Sequence, residues 1–178
     1  IIQSVNKNLV ITTYPDHRFG GYSYLVNNES GNITSIINNK PNLSIQMSPN
    51  MDKVLYSSGI GSFNNLTILE YKDKTTIPVS TNTFAEKCVW SSDSKIIYCA
   101  VPKMELKGSH LQDWHRGEIS FSDKFVAVDS TTGLVKELID PEILGTKIDA
   151  MNLIYVESLG AVVFTNKTDL HTYLLEIN

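Results

Sequence analysis

The sequence lacks a long apolar run, a cluster of lysine and arginine, and more than two cysteines in its 178 residues. Without about 18 consecutive apolar residues, no membrane-spanning helix is expected in this segment. A net charge of -4 without a basic cluster argues against nucleic acid and anionic lipid as partners. Two cysteines are too few for the disulfide framework of a small secreted domain.

Catalytic motifs are also missing. No G-x-S-x-G elbow, no HExxH and no phosphate-binding loop occurs. The histidines are scattered along the chain at His17, His110, His115 and His171. We therefore expect no enzyme active site built entirely within this chain, and no cofactor. The chain begins at Ile1 without Met or the features of a signal peptide, which suggests a processed chain or a domain cut from a longer one.

An internal repeat is present instead. Residues 47–56 (MSPNMDKVLY) recur about 43 residues later as residues 90–98 (WSSDSKIIY). At residues 155–164 the residues differ but the apolar pattern and the position of the turn are the same, and residues 6–11 show a weaker version. In each copy a polar turn separates two short β-prone runs, which predicts a β-hairpin.

A second repeated turn follows each hairpin. Residues 25–33 (LVNNESGNI) align without a gap on residues 127–135 (AVDSTTGLV), and residues 69–77 are a looser version. The Asx side chain of Asn27 or Asp129 can bind the backbone two residues on, and a glycine supplies positive φ. Each unit therefore has two hairpins, or four strands.

Four-stranded units with a period near 43 residues predict an all-β fold made of β-propeller blades, each with four antiparallel strands. A sandwich would give short strands without a turn recurring at this period. We expect one domain over residues 1–178, part of a larger ring of six to eight blades. The approximate blades are 1–40, 41–82, 83–146 and 147–178, and the last lacks its final strand because Asn178 aligns with Asn27 and Asp129.

The blade cores are predicted from the apolar residues that flank the repeated turns. They are Leu9, Val10, Ile11, Val54, Leu55, Tyr56, Val89, Trp90, Ile96, Ile97, Val162, Val163 and Phe164.

The hairpins at residues 48–56 and 90–98 are similar to the S-P-D-G-K-x-I-x-Y repeat of WD40-like (PD40, TolB-type) bacterial propellers. Two departures are that Ser92 stands where the preceding copy has Pro49, and that the motif's glycine occurs only as Gly160. Residues 113–123 also look like a segment of uncharacterised PD40-type propellers. The resemblance implies an extracytoplasmic location, periplasmic or at the cell surface, often behind a membrane anchor. It also implies a role as an interaction platform or as a gating domain of a peptidase.

The longest irregular stretch, residues 102–118, lies between the second and third strands of the third unit. Long insertions in a tight repeat often carry function. Asp113, Trp114, His115 and Arg116 form a candidate recognition patch, because Trp and Arg are enriched where binding energy concentrates. The alternative is that Trp114 anchors the loop. The equivalent loop of the first unit carries further candidates, which are Tyr14, His17, Arg18 and Phe19.

The same stretch contains three residues of metal-binding type. His110, Asp113 and His115 could act as three ligands, but short spacing in a loop does not establish convergence and a fourth ligand is not evident. Calcium at the Asx turns lacks the EF-hand spacing, and turn formation already explains those residues. We therefore expect no metal site.

The two cysteines flank one predicted hairpin. If the chain turns between Asp93 and Ser94, Cys88 lies opposite Cys99 on the neighbouring strand, where a cross-strand disulfide is feasible. The alternative is two small buried apolar side chains. The sequence leaves both open.

The leading functional hypothesis is a non-catalytic platform that binds a protein, a peptide or a component of the cell envelope through loops on one face, in a ring completed by further blades. One alternative is a regulatory or gating propeller of a larger enzyme such as a serine peptidase. Others are a lyase or glycosidase with its site at the ring centre, and a purely structural role.

Overall fold

The computed structural model describes residues 1–59, 64–107 and 109–177. In these residues, fifteen strands form four antiparallel sheets, of which three have four strands and one has three. Every sheet is a meander, in which strands consecutive in sequence are neighbours in space. The fold is therefore an all-β series of blades, as the repeats predict. Asn178, expected to begin the next turn, lies outside the described residues.

The strands follow in chain order. The first sheet contains β1 (Ile2–Val5), β2 (Asn8–Thr12), β3 (Gly20–Asn27) and β4 (Ile33–Pro41). The second sheet contains β5 (Ser44–Met47), β6 (Lys53–Ser58), β7 (Asn65–Glu70) and β8 (Thr76–Pro78). The third sheet contains β9 (Cys88–Trp90), β10 (Ile96–Pro102), β11 (Asp123–Asp129) and β12 (Val135–Ile139). The three-stranded sheet contains β13 (Ala150–Val156), β14 (Ala161–Asn166) and β15 (Thr172–Glu176).

The first repeated turn is closed by a serine hydroxyl. Ser48 Oγ accepts from the backbone N–H of Lys53 at 2.9 Å, and Ser91 Oγ accepts from that of Ile96 at 3.0 Å. The hydroxyl thus satisfies a donor at the start of the following strand. Two serines in equivalent turns therefore make the same contact, which explains why this position recurs.

The second repeated turn is confirmed as an Asx turn. Asn27 Oδ1 accepts from the backbone N–H of Glu29 at 3.0 Å, and Asp129 Oδ1 accepts from that of Thr131 at 2.9 Å. These bonds hold the chain in the reversal that joins the third strand of a blade to the fourth.

Apolar clusters fill the spaces between consecutive sheets. Each cluster joins two sheets, as the pairs Val10 with Val54, Leu55 with Ile97, and Phe125 with Phe164 illustrate. Burial of one face of each sheet against the next is the main apolar contribution to stability.

Most of the predicted core residues are buried or half-buried. Ile11 is the exception, because 39% of it is exposed. Successive side chains of a strand point to opposite faces, so Val10 enters the cluster against the second sheet while Ile11 faces away from it. The prediction of an uninterrupted apolar triplet in the core is therefore wrong for Ile11.

The connections between strands are short at one end of each blade and longer at the other. Because the strands alternate in direction, the tight β1–β2 and β3–β4 turns lie at one end, and the β2–β3 loop lies at the other. We call the second end the loop face. It carries residues 13–19, residues 79–87, and residues 103–107 and 109–122.

The inserted stretch is not wholly irregular. It contains the short helix α1 (His110–His115). The sequence predicts an irregular loop for these residues. The buried residues of α1 include Leu111 and Trp114, three positions apart and thus on one side of the helix. Among the described residues, no helix is both long and apolar enough to cross a membrane.

The cysteines lie on neighbouring strands. The register of β9 and β10 places Cys88 opposite Cys99, with their Cα atoms 4.0 Å apart. The structure joins the two side chains in a disulfide, within the apolar cluster between the second and third sheets.

Candidate functional site

Helix α1 is held on the loop face by a small apolar cluster. Leu111 and Trp114 pack with Phe84, Leu106 and Phe121. The indole Nε1 of Trp114 donates to both carboxylate oxygens of a buried aspartate, Asp149, at 2.9 and 3.0 Å. Only 5% of Trp114 is exposed. The structure therefore places Trp114 as the anchor of the insertion, the alternative that its sequence position left open.

A buried charge cluster lies beneath the helix. Lys87 Nζ contacts Asp149 Oδ1 at 2.8 Å, Asp123 Oδ2 at 2.9 Å and the carbonyl oxygen of Ala150 at 2.9 Å. All three ionisable side chains are fully buried. The sequence analysis did not predict this cluster. The only feature in the sequence that points to it is that Lys87, Asp123 and Asp149 each stand where a strand begins at the loop face.

One cation between two buried carboxylates leaves an excess negative charge. Burial raises the pKa of Asp123 to about 6, although Lys87 acts to lower it. Asp123 Oδ1 has no hydrogen-bond partner among the described residues, whereas Oδ2 accepts from the backbone N–H of Ala150 at 2.7 Å. The cluster therefore ties helix α1 to the third and fourth sheets and holds a carboxyl group that titrates at mildly acidic pH.

The two loops predicted as binding elements meet on the loop face. His17 Nδ1 lies 2.5 Å from Gln112 Oε1 of helix α1. The rings of Tyr14 and His115 are 5.4 Å apart, and His115 Nε2 lies 2.7 Å from Glu86 Oε1. Residues far apart in sequence thus form one continuous surface.

The remaining predicted residues lie at the margins of that surface. Arg18 pairs with Asp16 and lies over the ring of Phe19, 5.4 Å from its centroid. Arg116 pairs with Asp113 at 2.6 Å. Both guanidinium groups have carboxylate partners and are largely exposed, and such exposed ion pairs contribute little to stability.

Two aromatic rings remain free to contact a partner. Tyr14 is 58% exposed and Phe19 is 67% exposed. Large exposed aromatics in one loop are typical of binding surfaces.

The three candidate metal ligands do not converge. His110 Nδ1 accepts from the backbone N–H of Lys107, His115 pairs with Glu86, and Asp113 pairs with Arg116. Over the described ranges, no group of three or more His, Cys, Asp or Glu side chains could hold a metal ion.

A cavity of about 380 Å³ opens beside helix α1. Its lining combines apolar and charged side chains, which include Glu86, Trp114, His115, Met151 and Lys167. This is the size range of small-molecule and peptide-end pockets.

No protein-family model and no curated protein matches the chain. Solved structures do match. TolB from Acinetobacter baumannii superimposes with a TM-score of 0.62 at 12% sequence identity, covering 94% of this chain and 38% of TolB. The β-propeller domain of the Trilobed protease from Pyrococcus furiosus gives a TM-score of 0.57 at 11% identity, covering 99% of this chain and 54% of that one.

A chain of the nidogen/laminin complex gives a TM-score of 0.60 at 9% identity, with 97% of this chain and 62% of that chain covered. This chain has the β-propeller fold. It spans between 38% and 62% of the lengths of these three neighbours. Identities this low show the fold alone.

The propeller fold explains where the cavity lies. The first strands of the blades are innermost, and β1 contacts β5 as β9 contacts β13. The cavity is lined by Gln46 of β5 and by Met151, which stands near the loop-face end of β13. It therefore lies on the inner side of the blades, and the ring of its lining residue His115 is 5.4 Å from the ring of Tyr14.

Proposed function

We propose that this chain is part of a non-catalytic propeller platform that binds a protein or a peptide through the loop face. The observation that carries the proposal is the contact between residues 13–19 and helix α1. It joins two insertions from different blades into one surface, through His17 with Gln112 and Tyr14 with His115.

The blades make such a surface effective by holding it rigid. Helix α1 is fixed by Trp114 and the Lys87 cluster, and residues 13–19 are fixed against the helix. A loop that is ordered before binding loses less conformational entropy on binding. Tyr14 and Phe19 then offer large contact areas with few rotatable bonds.

We further propose that the protein works outside the cytoplasm. The Cys88–Cys99 disulfide supports this location, because disulfides persist in oxidising compartments and are rare in reducing ones. A periplasmic or cell-surface position follows from this proposal, as does a partner among proteins of that compartment.

A selection of peptides from a random display library on the immobilised protein tests the platform. We expect enriched peptides to bind the wild type and to lose at least about tenfold in affinity on the Tyr14→Ala, Phe19→Ala double variant, because each buried aromatic contributes on the order of 1 kcal/mol or more. Leu134→Ala is the matched control, since Leu134 is 71% exposed but lies in the β11–β12 turn at the opposite end of the blade.

Two outcomes would contradict the platform. One is that no peptide is enriched over a blank surface. The other is that enriched peptides bind the double variant as well as they bind the wild type, which would place the binding site away from the loop face.

A propeller domain of a protease is among the structural neighbours, so a gating role beside a catalytic domain is the second candidate. A hydrolase domain in the same polypeptide would favour it.

A further inference from the structure

Two lysines approach the ring of Trp114, and they differ in their partners. Lys87 Nζ lies 4.5 Å from the ring centroid and Lys167 Nζ lies 4.6 Å from it. A lysine ammonium has three N–H donors. For Lys87 they are matched by three acceptors, on Asp149, Asp123 and Ala150.

Lys167 has fewer partners. Its ammonium donates to the carbonyl oxygen of Trp114, and none of the ion pairs in the described part of the chain includes it. Burial lowers the pKa of Lys167, because its charge is partly removed from water without a carboxylate in contact. Two N–H donors of a partly buried cation are thus available at the cavity wall.

The other cavity residues set the charge and polarity around Lys167. The Glu86 carboxylate lies 2.7 Å from His115 Nε2, and it forms no ion pair with Lys167 in the described part of the chain. Met151 and Leu153 of β13 add apolar wall. Between them, Asn152 has a φ of +54° at an irregularity in the pairing of β13 with β14, and this residue also lines the cavity. Such bulges often re-aim a side chain next to a site.

We propose that this cavity binds a carboxylate of the peptide partner, with Lys167 Nζ as its counter-ion and Trp114, Met151 and Leu153 as the apolar wall for the adjoining residue. The inference rests on the proposed function, since it names the group that the loop face recognises. A single ammonium beside the engaged Glu86 suits the single charge of a carboxylate better than a phosphate, which usually has several cationic or backbone donors. The cavity volume of about 380 Å³ holds one or two amino-acid residues.

The carboxylate could belong to a chain terminus or to an acidic side chain, and defined probes distinguish the two. The probes are acetyl-Ala-Leu with a free carboxylate, its C-terminal amide, and acetyl-Ala-Glu-Ala-amide. Binding to the full chain is followed by calorimetry and by tryptophan fluorescence, because Trp114 forms part of the wall. We expect one of the two acids to bind saturably at millimolar concentration or below, and at least about tenfold more tightly than the neutral amide.

Variants assign the effect to Lys167. Lys167→Met keeps the length of the side chain without its charge, and we expect it to weaken binding of the acid at least about tenfold and to leave the neutral amide unchanged. Lys167→Arg should retain binding. Lys136→Met is the control for loss of one positive charge, because Lys136 is exposed on the outer strand β12. If Lys167→Met fails to fold, the comparison of acid with amide on the wild-type protein still tests whether the site requires a carboxylate.

The inference is overturned if neither acid binds more tightly than the neutral amide on the wild type. It is also overturned by saturable acid binding that Lys167→Met leaves intact. No saturable binding of either acid at millimolar concentration also overturns it. These failures are distinct from failure of the platform. Peptides selected on the loop face that require Tyr14 and Phe19 but ignore Lys167 would support the platform and reject the carboxylate site.

Discussion

At the scale of single residues, the buried Lys87 cluster is the feature with the clearest energetic consequence. A lysine at 0% exposure is tolerable only because two carboxylates and a carbonyl oxygen surround its ammonium. The second carboxylate is in excess, and burial raises the pKa of Asp123 to about 6 from an ordinary value of 3.8. Proton binding at this position is therefore coupled to folding.

The Asp123→Asn variant measures that coupling. Between pH values of about 4 and 6 the folded protein holds a proton on Asp123 that the unfolded chain has lost, so the free energy of unfolding of the wild type falls as pH rises. The variant has no carboxyl group at this position, so its free energy of unfolding does not fall for this reason. We expect the free energy of unfolding of the wild type, minus that of the variant, to fall by about 2 kcal/mol between about pH 4 and about pH 7. Urea unfolding at a series of pH values measures it. Parallel pH dependences of the two proteins would contradict the assignment.

The disulfide is the second residue-scale feature, and it closes a short loop. Cys88 and Cys99 are 11 residues apart, for which loop-closure entropy gives about 3 kcal/mol of stabilisation. We expect reductant to lower the free energy of unfolding of the wild type by about that amount and to leave a Cys88→Ala, Cys99→Ala variant unchanged. A mass measurement that finds two free thiols after aerobic purification would remove the disulfide from the native protein.

At the scale of elements, equivalent turns share their internal geometry and differ in their surroundings. Gly31 and Gly133 both have a φ of +72°, in the turn that joins the third strand of a blade to the fourth. A Cβ on Gly31 would meet nothing within 4 Å, whereas a Cβ on Gly133 would lie 2.4 Å from the carbonyl oxygen of Pro78. Gly133 therefore permits close packing of the third blade against β8 of the second.

Alanine at the two positions separates backbone strain from blade packing. Gly31→Ala places a side chain on a residue in the left-handed conformation without a steric clash. We expect this backbone strain alone to lower the free energy of unfolding by about 1 kcal/mol. Gly133→Ala adds a clash with backbone that cannot move without shifting β8, so we expect a loss of more than about 2 kcal/mol. Thermal and urea unfolding of both variants test the difference. Equal losses would show that the contact with Pro78 is relieved at little cost.

At the scale of the whole molecule, the blades are joined face to face, and the last sheet has three strands where each of the other sheets has four. Each blade buries an apolar face on its neighbour, and Lys53 Nζ of the second blade donates to Ser130 of the third at 3.1 Å. In the described residues β15 pairs with β14 and with no strand on its other side. Unpaired backbone groups at an edge are a template for another strand.

This edge predicts self-association of the isolated chain. Leu174 of β15 is 51% exposed, and Leu174→Lys places a charge on the open strand. We expect light scattering after gel filtration to show a mass that rises with protein concentration for the wild type and less so for the variant, because charged edges resist strand pairing. The control is Leu134→Lys, on a turn far from the edge. A monomeric wild type at every concentration would contradict the prediction.

The local features of this fold were predictable from the sequence. Turn chemistry depends on residues a few positions apart, so Ser48, Ser91, Asn27 and Asp129 reveal the hairpins and their period without tertiary information. The period then indicates propeller blades. Helix α1 escaped prediction because six residues are too few for a clear helical pattern, and tertiary contacts of Leu111 and Trp114 stabilise it.

The candidate site depended on contacts between distant residues. The sequence selected residues 13–19 and 113–116, but only the tertiary structure showed that Tyr14 meets His115 and that Trp114 turns inward to Asp149. Sequence alone determined the strands and turns because their hydrogen bonds join near neighbours. The Lys87 cluster and the cavity at Lys167 were decided by tertiary structure, because burial and charge pairing depend on how separate blades pack together.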